Sequence, residues 1–312
     1  MDNNTKKNTR SENGENFRPQ TEERYVSPLG VQNQRTIEND KNKRMDMFTV
    51  EKPKRRLEDL VVSEKIRMQL ASLLTKVKYH HVLYEDFGLK EVDATGGRTA
   101  INLYGPPGTG KSFTAEAIAN ELNRNIIRVN YAEIESKFVG ETPKNIKAVF
   151  QKARESNAVL FFDEADSILG KRLSNITQST DHAVNVSRSV MLLELDSFSG
   201  ITIFATNFAS NYDSAFVRRI LGHIEMPLPD KSCRERLFER LIPSKLPVQL
   251  SPSDWECIIV ETEGLSGGDM LNIIVNASSM ALEREGYTCK VKLTDFITAI
   301  HSSKKAKEEI GK

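Results

Sequence analysis

Residues 105–112 read GPPGTGKS and fit the pattern Gly-x-x-x-x-Gly-Lys-Ser/Thr, whose chemistry is the binding of phosphate groups. The apolar residues 100–104 before this loop predict a short strand, and residues 113–122 after it predict a helix. A glycine-rich turn between a strand and a helix directs backbone N–H groups towards a phosphate, and the helix N-terminus adds partial positive charge. This context makes a chance glycine-rich loop a poor explanation of the pattern.

Individual residues of this loop have distinct predicted roles. Lys111 is expected to reach the β- and γ-phosphates of ATP, and Ser112 is expected to bind Mg²⁺. The predicted cofactors are therefore ATP and Mg²⁺. The residues predicted to contact the nucleotide at this loop are Gly105, Pro106, Pro107, Gly108, Thr109, Gly110, Lys111, Ser112 and Phe113.

Two carboxylates follow the apolar residues 158–162, which predict a buried strand. Ligands bind outside the carboxyl ends of the strands in open α/β sheets. Asp163 is expected beside Mg²⁺. Glu164 is expected to orient and polarise the attacking water, because phosphoryl transfer depends on positioning more than on covalent chemistry. The alternative is a solvated acidic turn after a core strand.

Another apolar run, residues 201–206, ends at Asn207, and Arg218 and Arg219 follow eleven residues later. With these motifs in this order and spacing, the chain resembles the AAA ATPases, the ring-forming branch of the AAA+ superfamily, over roughly residues 55–303. The resemblance implies that Asn207 hydrogen-bonds the attacking water or the γ-phosphate. It also implies that Arg218 and Arg219 are paired arginine fingers, which act on nucleotide held by the neighbouring subunit. Two surface arginines on a helix are the alternative.

The resemblance extends to the surroundings of the adenine base. Residues 264–270 (GLSGGDM) are similar to the start of a helix in the family's small domain, where Gly267 and Gly268 pass beside adenine because they lack a Cβ. Leu60 and Val61 are expected to line the other side of the base, and plain core packing explains them nearly as well. Residues 196–198 (DSF) are similar to an Asp-Gly-Phe motif that signals between subunits, with serine in place of glycine.

Residues 131–142 (YAEIESKFVGET) resemble the central-pore loop of protein-remodelling AAA ATPases, among them katanin, spastin, the ESCRT-disassembly enzymes and the membrane-protease modules. In that resemblance Lys137, Phe138 and Val139 grip an extended polypeptide. Packing of Phe138 in the core is the alternative. The polar residues 171–184 fit either a second pore loop or a solvated surface loop.

From residue 100 onwards, apolar strand candidates alternate with helical segments, which predicts an α/β fold with a parallel sheet covered by helices on both faces. The expected domains are a disordered arm at 1–52, a P-loop ATPase domain at 53–229 and a small C-terminal helical lid domain at 230–312. The arm is rich in Asn, Lys, Glu and Arg and buries too little apolar surface to fold by itself. It is either an adaptor-binding segment or a passive tail.

Composition narrows the classes of function. The net charge is +1, so no basic field indicates nucleic acid as a partner. The 3 cysteines form neither a disulfide framework nor a zinc pattern, which suits a reducing compartment. The polar N-terminus is not a secretory signal, and no apolar run approaches the ~20 residues of a membrane span. We expect a cytoplasmic protein.

These features and the resemblance predict an ATP-hydrolysing ring motor, a homo-oligomer for which a hexamer is expected. It would unfold, translocate or disassemble protein substrates, with a separate protease or an adaptor as a possible partner. One rival is a loader or initiator that acts on nucleic-acid complexes, against which the near-neutral charge and Phe138 argue. Another is a scaffold that binds ATP as a structural switch, against which Glu164 and the fingers argue.

Overall fold

A computed structural model describes residues 40–93, 99–130, 134, 141–170, 179–208 and 212–310. The chain divides into two compact units, Met1–Asn42 and Lys43–Lys312, and the strands and helices named here belong to the second. The predicted pore-loop residues Lys137, Phe138 and Val139 lie outside the described residues, as do residues 171–178. No helix in the described part of the chain is long and apolar enough to cross a membrane.

The second unit is built around a five-stranded sheet in the order β2-β3-β4-β1-β5, in which every neighbouring pair is parallel. The strands are β1 (Ala100–Tyr104), β2 (Asn125–Asn130), β3 (Ala158–Asp163), β4 (Thr202–Thr206) and β5 (Ile220–Glu225). Parallel neighbours need crossover connections, which helices supply here. The helices are α1 (Glu64–Lys78), α2 (Lys111–Glu121), α3 (Thr142–Ser156), α4 (Asp166–Leu169), α5 (Ser179–Ser197), α6 (Ser214–Val217), α7 (Lys231–Leu241), α8 (Pro252–Glu261), α9 (Gly267–Glu285) and α10 (Leu293–Ile310). The predicted α/β fold class is confirmed.

Helices cover both faces of the sheet because successive strand side chains point to opposite faces. Phe161 of β3 belongs to an apolar cluster that includes Leu70 of α1 and Ile118 of α2. Its neighbour Phe162 belongs to the other cluster, with Phe150 of α3 and Met191 of α5. All five apolar residues of β3 are buried. A strand covered on both faces has to be apolar throughout, which is why its sequence does not alternate.

The C-terminal helices have an apolar core of their own. Phe238 of α7, Trp255 of α8 and Phe296 of α10 contact one another, with ring centroids separated by 6.0, 6.1 and 6.4 Å. Helices α8 and α9 each begin with a capping box, in which Ser251 or Ser266 pairs with an aspartate three residues later. The helices predicted after residue 229 are therefore present.

Two elements begin earlier than the sequence pattern predicts. The sequence of residues 223–228 (HIEMPL) predicts a strand there, but β5 begins earlier, at Ile220, and it ends before Pro227, which has no N–H group to donate. Helix α5 begins at Ser179, so the last part of the polar stretch 171–184 is helical and cannot be loop. In both places tertiary pairing or packing extends an element into residues without a clear periodicity.

Residues 43–52, which the sequence assigns to the arm, pack on the folded unit. Met45 and Phe48 are buried in the same apolar cluster as β3 and α3. Glu51 forms an antiparallel bridge with Ile126, in which both N–H···O distances are 2.9 Å. The bridge covers the outer edge of β2, an edge strand whose polar backbone groups would otherwise be open. Four apolar residues in a ten-residue segment are too few for a periodic pattern to reveal this contact.

Candidate active site

The loop 105–110 leaves the carboxyl end of β1 and enters α2. The N–H group of Gly105 donates to the carbonyl oxygen of Thr206 at the end of β4, at 3.3 Å. The φ angle of Gly105 is +141°, and a Cβ built there would lie 2.2 Å from the carbonyl oxygen of Met226. Any side chain would collide with backbone at this point, so the loop has to begin with glycine.

Lys111, the first residue of α2, is only 8% exposed. Its Nζ donates to the carbonyl oxygens of Gly105 and Pro106 at 2.7 and 2.9 Å. Burial lowers the pKa of Lys111, although the carboxylates of Asp163 and Asp166 act in the opposite direction. A partly desolvated ammonium group that is hydrogen-bonded to backbone carbonyls favours an anionic partner.

Asp163 organises two neighbours at the end of β3. The hydroxyl of Ser112 donates to its Oδ2 at 2.9 Å, and the backbone N–H of Glu164 donates to its Oδ1 at 3.0 Å. Oxygen donors suit a hard cation, and Mg²⁺ is usually bound by one or two protein oxygens while substrate phosphates and waters complete its octahedron. No group of three or more His, Cys, Asp or Glu residues that could hold a metal occurs in the described ranges. The Ser112–Asp163 pair therefore fits Mg²⁺ bound together with a nucleotide.

Glu164 has an unusual backbone conformation. Its φ is +51°, in the left-handed region that costs a non-glycine residue about 1 kcal/mol or more. The other non-glycine residues with positive φ in the described part of the chain are Asn123 and Asn157, of the type that adopts this conformation most readily. Such strain persists where the surroundings impose it, and it concentrates at functional sites. Glu164 therefore has an exposed side chain at the carboxyl edge of the sheet, on a backbone whose conformation is imposed by its surroundings.

Asn207 lies at the same edge of the sheet. It follows the last residue of β4, which lies between β3 and β1, and its side chain is exposed. The N–H of Ala165 donates to the carbonyl oxygen of Ala205 at 3.0 Å, which holds the ends of β3 and β4 side by side. The structure thus places Asn207, Glu164 and the phosphate-binding loop along one edge.

The two arginines lie at the opposite edge. They directly precede Ile220, which pairs with Ala100 at the amino end of β1, whereas the loop begins at its carboxyl end. These ends are about 13 Å apart, which is the length of four residue-to-residue steps of extended chain. The structure therefore does not bring Arg218 and Arg219 to the phosphate-binding loop of the same chain.

Arg219 makes a contact that the sequence did not predict. It donates two hydrogen bonds to Asp196 of α5, at 2.7 and 2.8 Å, and a third to the carbonyl oxygen of Ala215 at 3.0 Å. The hydrogen bonds to Asp196 raise the pKa of Arg219 against the opposing effect of burial. The Arg218 side chain is exposed, whereas that of Arg219 is partly buried.

A cleft of about 580 Å³ adjoins the loop, a volume within the usual range for small-molecule sites. Leu60, Val61, Gly267 and Gly268 are among the residues that line it. Leu60 is also buried in an apolar cluster, so the core and cleft interpretations of this residue both apply. The predicted residues Gly108, Thr109, Gly110 and Phe113 line the cleft as well.

Charged residues that the sequence pattern does not predict for this site also line the cleft. The Arg55 guanidinium lies 5.2 Å from the centre of the Phe113 ring, an arrangement that allows a cation–π contact. Arg240 of α7 forms an ion pair with Asp59, which joins the C-terminal helices to the segment before α1. These pairs link residues far apart in the sequence, and no local pattern signals them.

Comparison with known proteins gives a family match at this site. The sequence model of the "ATPase family associated with various cellular activities (AAA)" matches residues 101–228. This range contains the phosphate-binding loop, β3 with its carboxylates, Asn207 and both arginines.

Similar proteins and structures point the same way. The chain is 36% identical over 218 residues to a proteasome-activating nucleotidase from Aeropyrum pernix, which covers 68% of this chain and 52% of that protein. It is 34% identical over 215 residues to the 26S proteasome regulatory subunit 10B homolog A of Arabidopsis thaliana, covering 67% and 53%. The chain thus spans about half the length of the curated relatives it matches. The solved AAA domain of FIGL-1 in complex with ADP shares the fold, with a TM-score of 0.69 at 21% identity over 84% of this chain and 90% of that one.

Proposed function

The chain belongs to the AAA family of ATPases, and we propose from this premise that it is an ATP-hydrolysing ring motor that unfolds, translocates or disassembles proteins. The observation that carries the proposal is the convergence of Lys111, the Ser112–Asp163 pair and Glu164 at the carboxyl edge of the sheet. A buried cation, a pair of oxygen ligands and a constrained carboxylate are the parts that phosphoryl transfer to water requires.

Each residue has a separate task in this proposal. The Lys111 ammonium exchanges its bonds to loop carbonyls for bonds to phosphate oxygens, which gain more from a positive charge. The constrained backbone of Glu164 fixes its carboxylate where it can accept hydrogen bonds from the attacking water, and Asn207 orients the same water from the next strand. Ser112 and Asp163 would hold Mg²⁺. When bound, this ion neutralises negative charge on the phosphate oxygens.

The position of the fingers supports a ring. Arg218 and Arg219 precede the residue that pairs with the amino end of β1, and the loop of their own chain begins at the carboxyl end of this strand, about 13 Å away along it. An arginine that contributes to hydrolysis from there has to act on the nucleotide of a neighbouring subunit. Closed rings satisfy this head-to-tail arrangement for every subunit, and we propose a homo-oligomer, with a hexamer as the expected size.

Substitution of the fingers tests action on the neighbour. Arg218→Ala and Arg219→Ala should each slow ATP hydrolysis about 10³-fold without weakening nucleotide binding to the isolated subunit. Mixing Arg218→Ala subunits with Lys111→Ala subunits should restore part of the activity. An Arg218→Ala subunit keeps an intact nucleotide site, and a neighbouring Lys111→Ala subunit can supply the intact arginine to it. Phosphate release is measured against protein concentration for each variant and for the mixture. An inactive mixture, with mixed rings shown by differently labelled subunits, would contradict action in trans.

Proteins are the proposed substrates, for two reasons. Two relatives are a proteasome-activating nucleotidase and a 26S proteasome regulatory subunit, and these names connect them to a protease. The segment with Lys137, Phe138 and Val139 supplies an aromatic side chain suited to gripping any polypeptide. A separate protease or adaptor would then be a partner of this chain. The net charge of +1 gives no support to nucleic acid.

Phe138→Ala should separate hydrolysis from mechanical work. ATP turnover should persist within about threefold of the parent. The rate at which a fluorescent protein with an unstructured tail is unfolded should fall by tenfold or more, because one buried aromatic commonly contributes ~2 kcal/mol to a contact. Both rates are measured in the same preparation. Phe87→Ala is the matched control, because Phe87 is 70% exposed and lies outside the site. Unfolding by Phe138→Ala at the parent rate would rule out this gripping role.

A further inference from the structure

The first turn of α9 lies directly on the phosphate-binding loop. The N–H group of Gly268 donates to the carbonyl oxygen of Gly108 at 3.1 Å. The φ angle of Gly108 is +75°, and a Cβ built there would lie 2.4 Å from the hydroxyl oxygen of Ser266. The loop and the start of this helix are hydrogen-bonded backbone to backbone, so a shift of the helix start is transmitted to the loop.

Asp269 holds this first turn together. Its Oδ2 accepts hydrogen bonds from the backbone N–H and from the hydroxyl of Ser266, both at 2.7 Å. The same oxygen forms an ion pair with Lys307 in the last turn of α10. Burial alone raises the pKa of Asp269, but the hydrogen bonds from Lys307 and Ser266 outweigh it and the pKa is lowered. Asp269 therefore carries its negative charge next to the loop, and Lys307 balances it.

We propose that Lys307 is a positioning residue for nucleotide binding, acting through Asp269 on the contact between α9 and Gly108. Without Lys307, a carboxylate that is only 18% exposed keeps an uncompensated charge beside a site for an anionic ligand. That charge repels phosphates and also loosens the cap that presents Gly268 to the loop. This inference rests on the proposed nucleotide site, and it makes the nucleotide affinity of that site depend on a residue in the last turn of α10.

The coupling has to act in both directions, because a binding free energy shared between two sites is reciprocal. Nucleotide bound at the loop should therefore stabilise the last turn of α10, which continues to Ile310. Amide hydrogen exchange in residues 304–310 should slow when ADP is added. In Lys307→Met the same residues should exchange at similar rates with and without ADP.

The decisive experiment measures the Kd of a fluorescent ADP derivative for the full chain and its variants. Lys307→Met should raise Kd by about fivefold or more, and Lys307→Arg should retain the parent value within about twofold. Lys304→Met is the matched control, because Lys304 lies one turn earlier on α10 and pairs at 3.5 Å with Glu261 of α8, away from α9. It should leave Kd within about twofold of the parent.

Distinct outcomes separate this inference from the proposed function. Equal Kd values for Lys307→Met and Lys304→Met, with a parent that binds ADP, would overturn the role of Lys307 and leave the nucleotide site standing. A parent chain that does not bind ADP would overturn both. The melting temperature of Lys307→Met shows whether this variant is folded. If it is unfolded, the milder variant Lys307→Gln takes its place, and its Kd for the ADP derivative is likewise expected to rise.

Discussion

Lys111→Ala should weaken ADP and ATP binding by at least about 100-fold, because a hydrogen-bonding charge worth ~3 kcal/mol is removed from the phosphate-binding loop. Lys111 is buried, and its ammonium lies between the carbonyls of Gly105 and Pro106. Isothermal titration calorimetry with ADP and with a slowly hydrolysed ATP analogue gives both affinities.

Control variants distinguish the loss of the Lys111 charge from a loss of folding. Lys111→Met keeps most of the buried stem and should lose affinity as severely as Lys111→Ala. Lys144→Ala, a lysine whose side chain is 65% exposed, should bind normally. Melting temperatures of all variants should stay within about 5 °C of the parent, since about 1 kcal/mol shifts a domain of this size by only a few degrees. Affinity of Lys111→Met within a few fold of the parent would refute the assignment.

Glu164→Gln should bind ATP with parent affinity and hydrolyse it about 10²–10³-fold more slowly, because an amide cannot accept the proton of the attacking water as a carboxylate does. The substitution keeps the size and the backbone of the residue, so the phosphate contacts at Lys111 and Ser112 are unaffected. Single-turnover phosphate release and nucleotide affinity are measured on one sample. Slow hydrolysis should also hold a protein substrate on the ring, and affinity purification of Glu164→Gln from cells is the experiment that would identify it.

The φ of +51° at Glu164 allows a sharper control. Glu164→Gly removes the carboxylate and the left-handed strain together, so it should raise stability by roughly 0.5–1 kcal/mol while losing hydrolysis to the same extent as Glu164→Gln. Glu239→Gln, on the exposed surface of α7, should change neither property. A Glu164→Gln variant that turns over ATP at the parent rate would mean that another residue positions the water.

The sequence by itself determined the strand–loop–helix unit around residues 100–121 and the buried strand that leads to Asp163. Both are contiguous, and local rules of phosphate binding and apolar patterning act over a few residues. The parallel sheet that follows from the alternation also implied that Ser112, Asp163, Glu164 and Asn207 would share one edge. Residues that are far apart in the sequence are then close in space, because the carboxyl ends of parallel strands lie together.

Only the tertiary structure decided the contacts that join distant segments. The sequence contains no sign that Arg219 pairs with Asp196, that Asp59 pairs with Arg240, or that Lys307 reaches Asp269. The burial of Met45 and Phe48 within a polar stretch is of the same kind. Each contact depends on how the helices pack, and two charged residues that lie far apart in the sequence leave no local pattern by which their pairing could be recognised. The left-handed backbone of Glu164 likewise arises from its surroundings, since glutamate has no preference for that conformation.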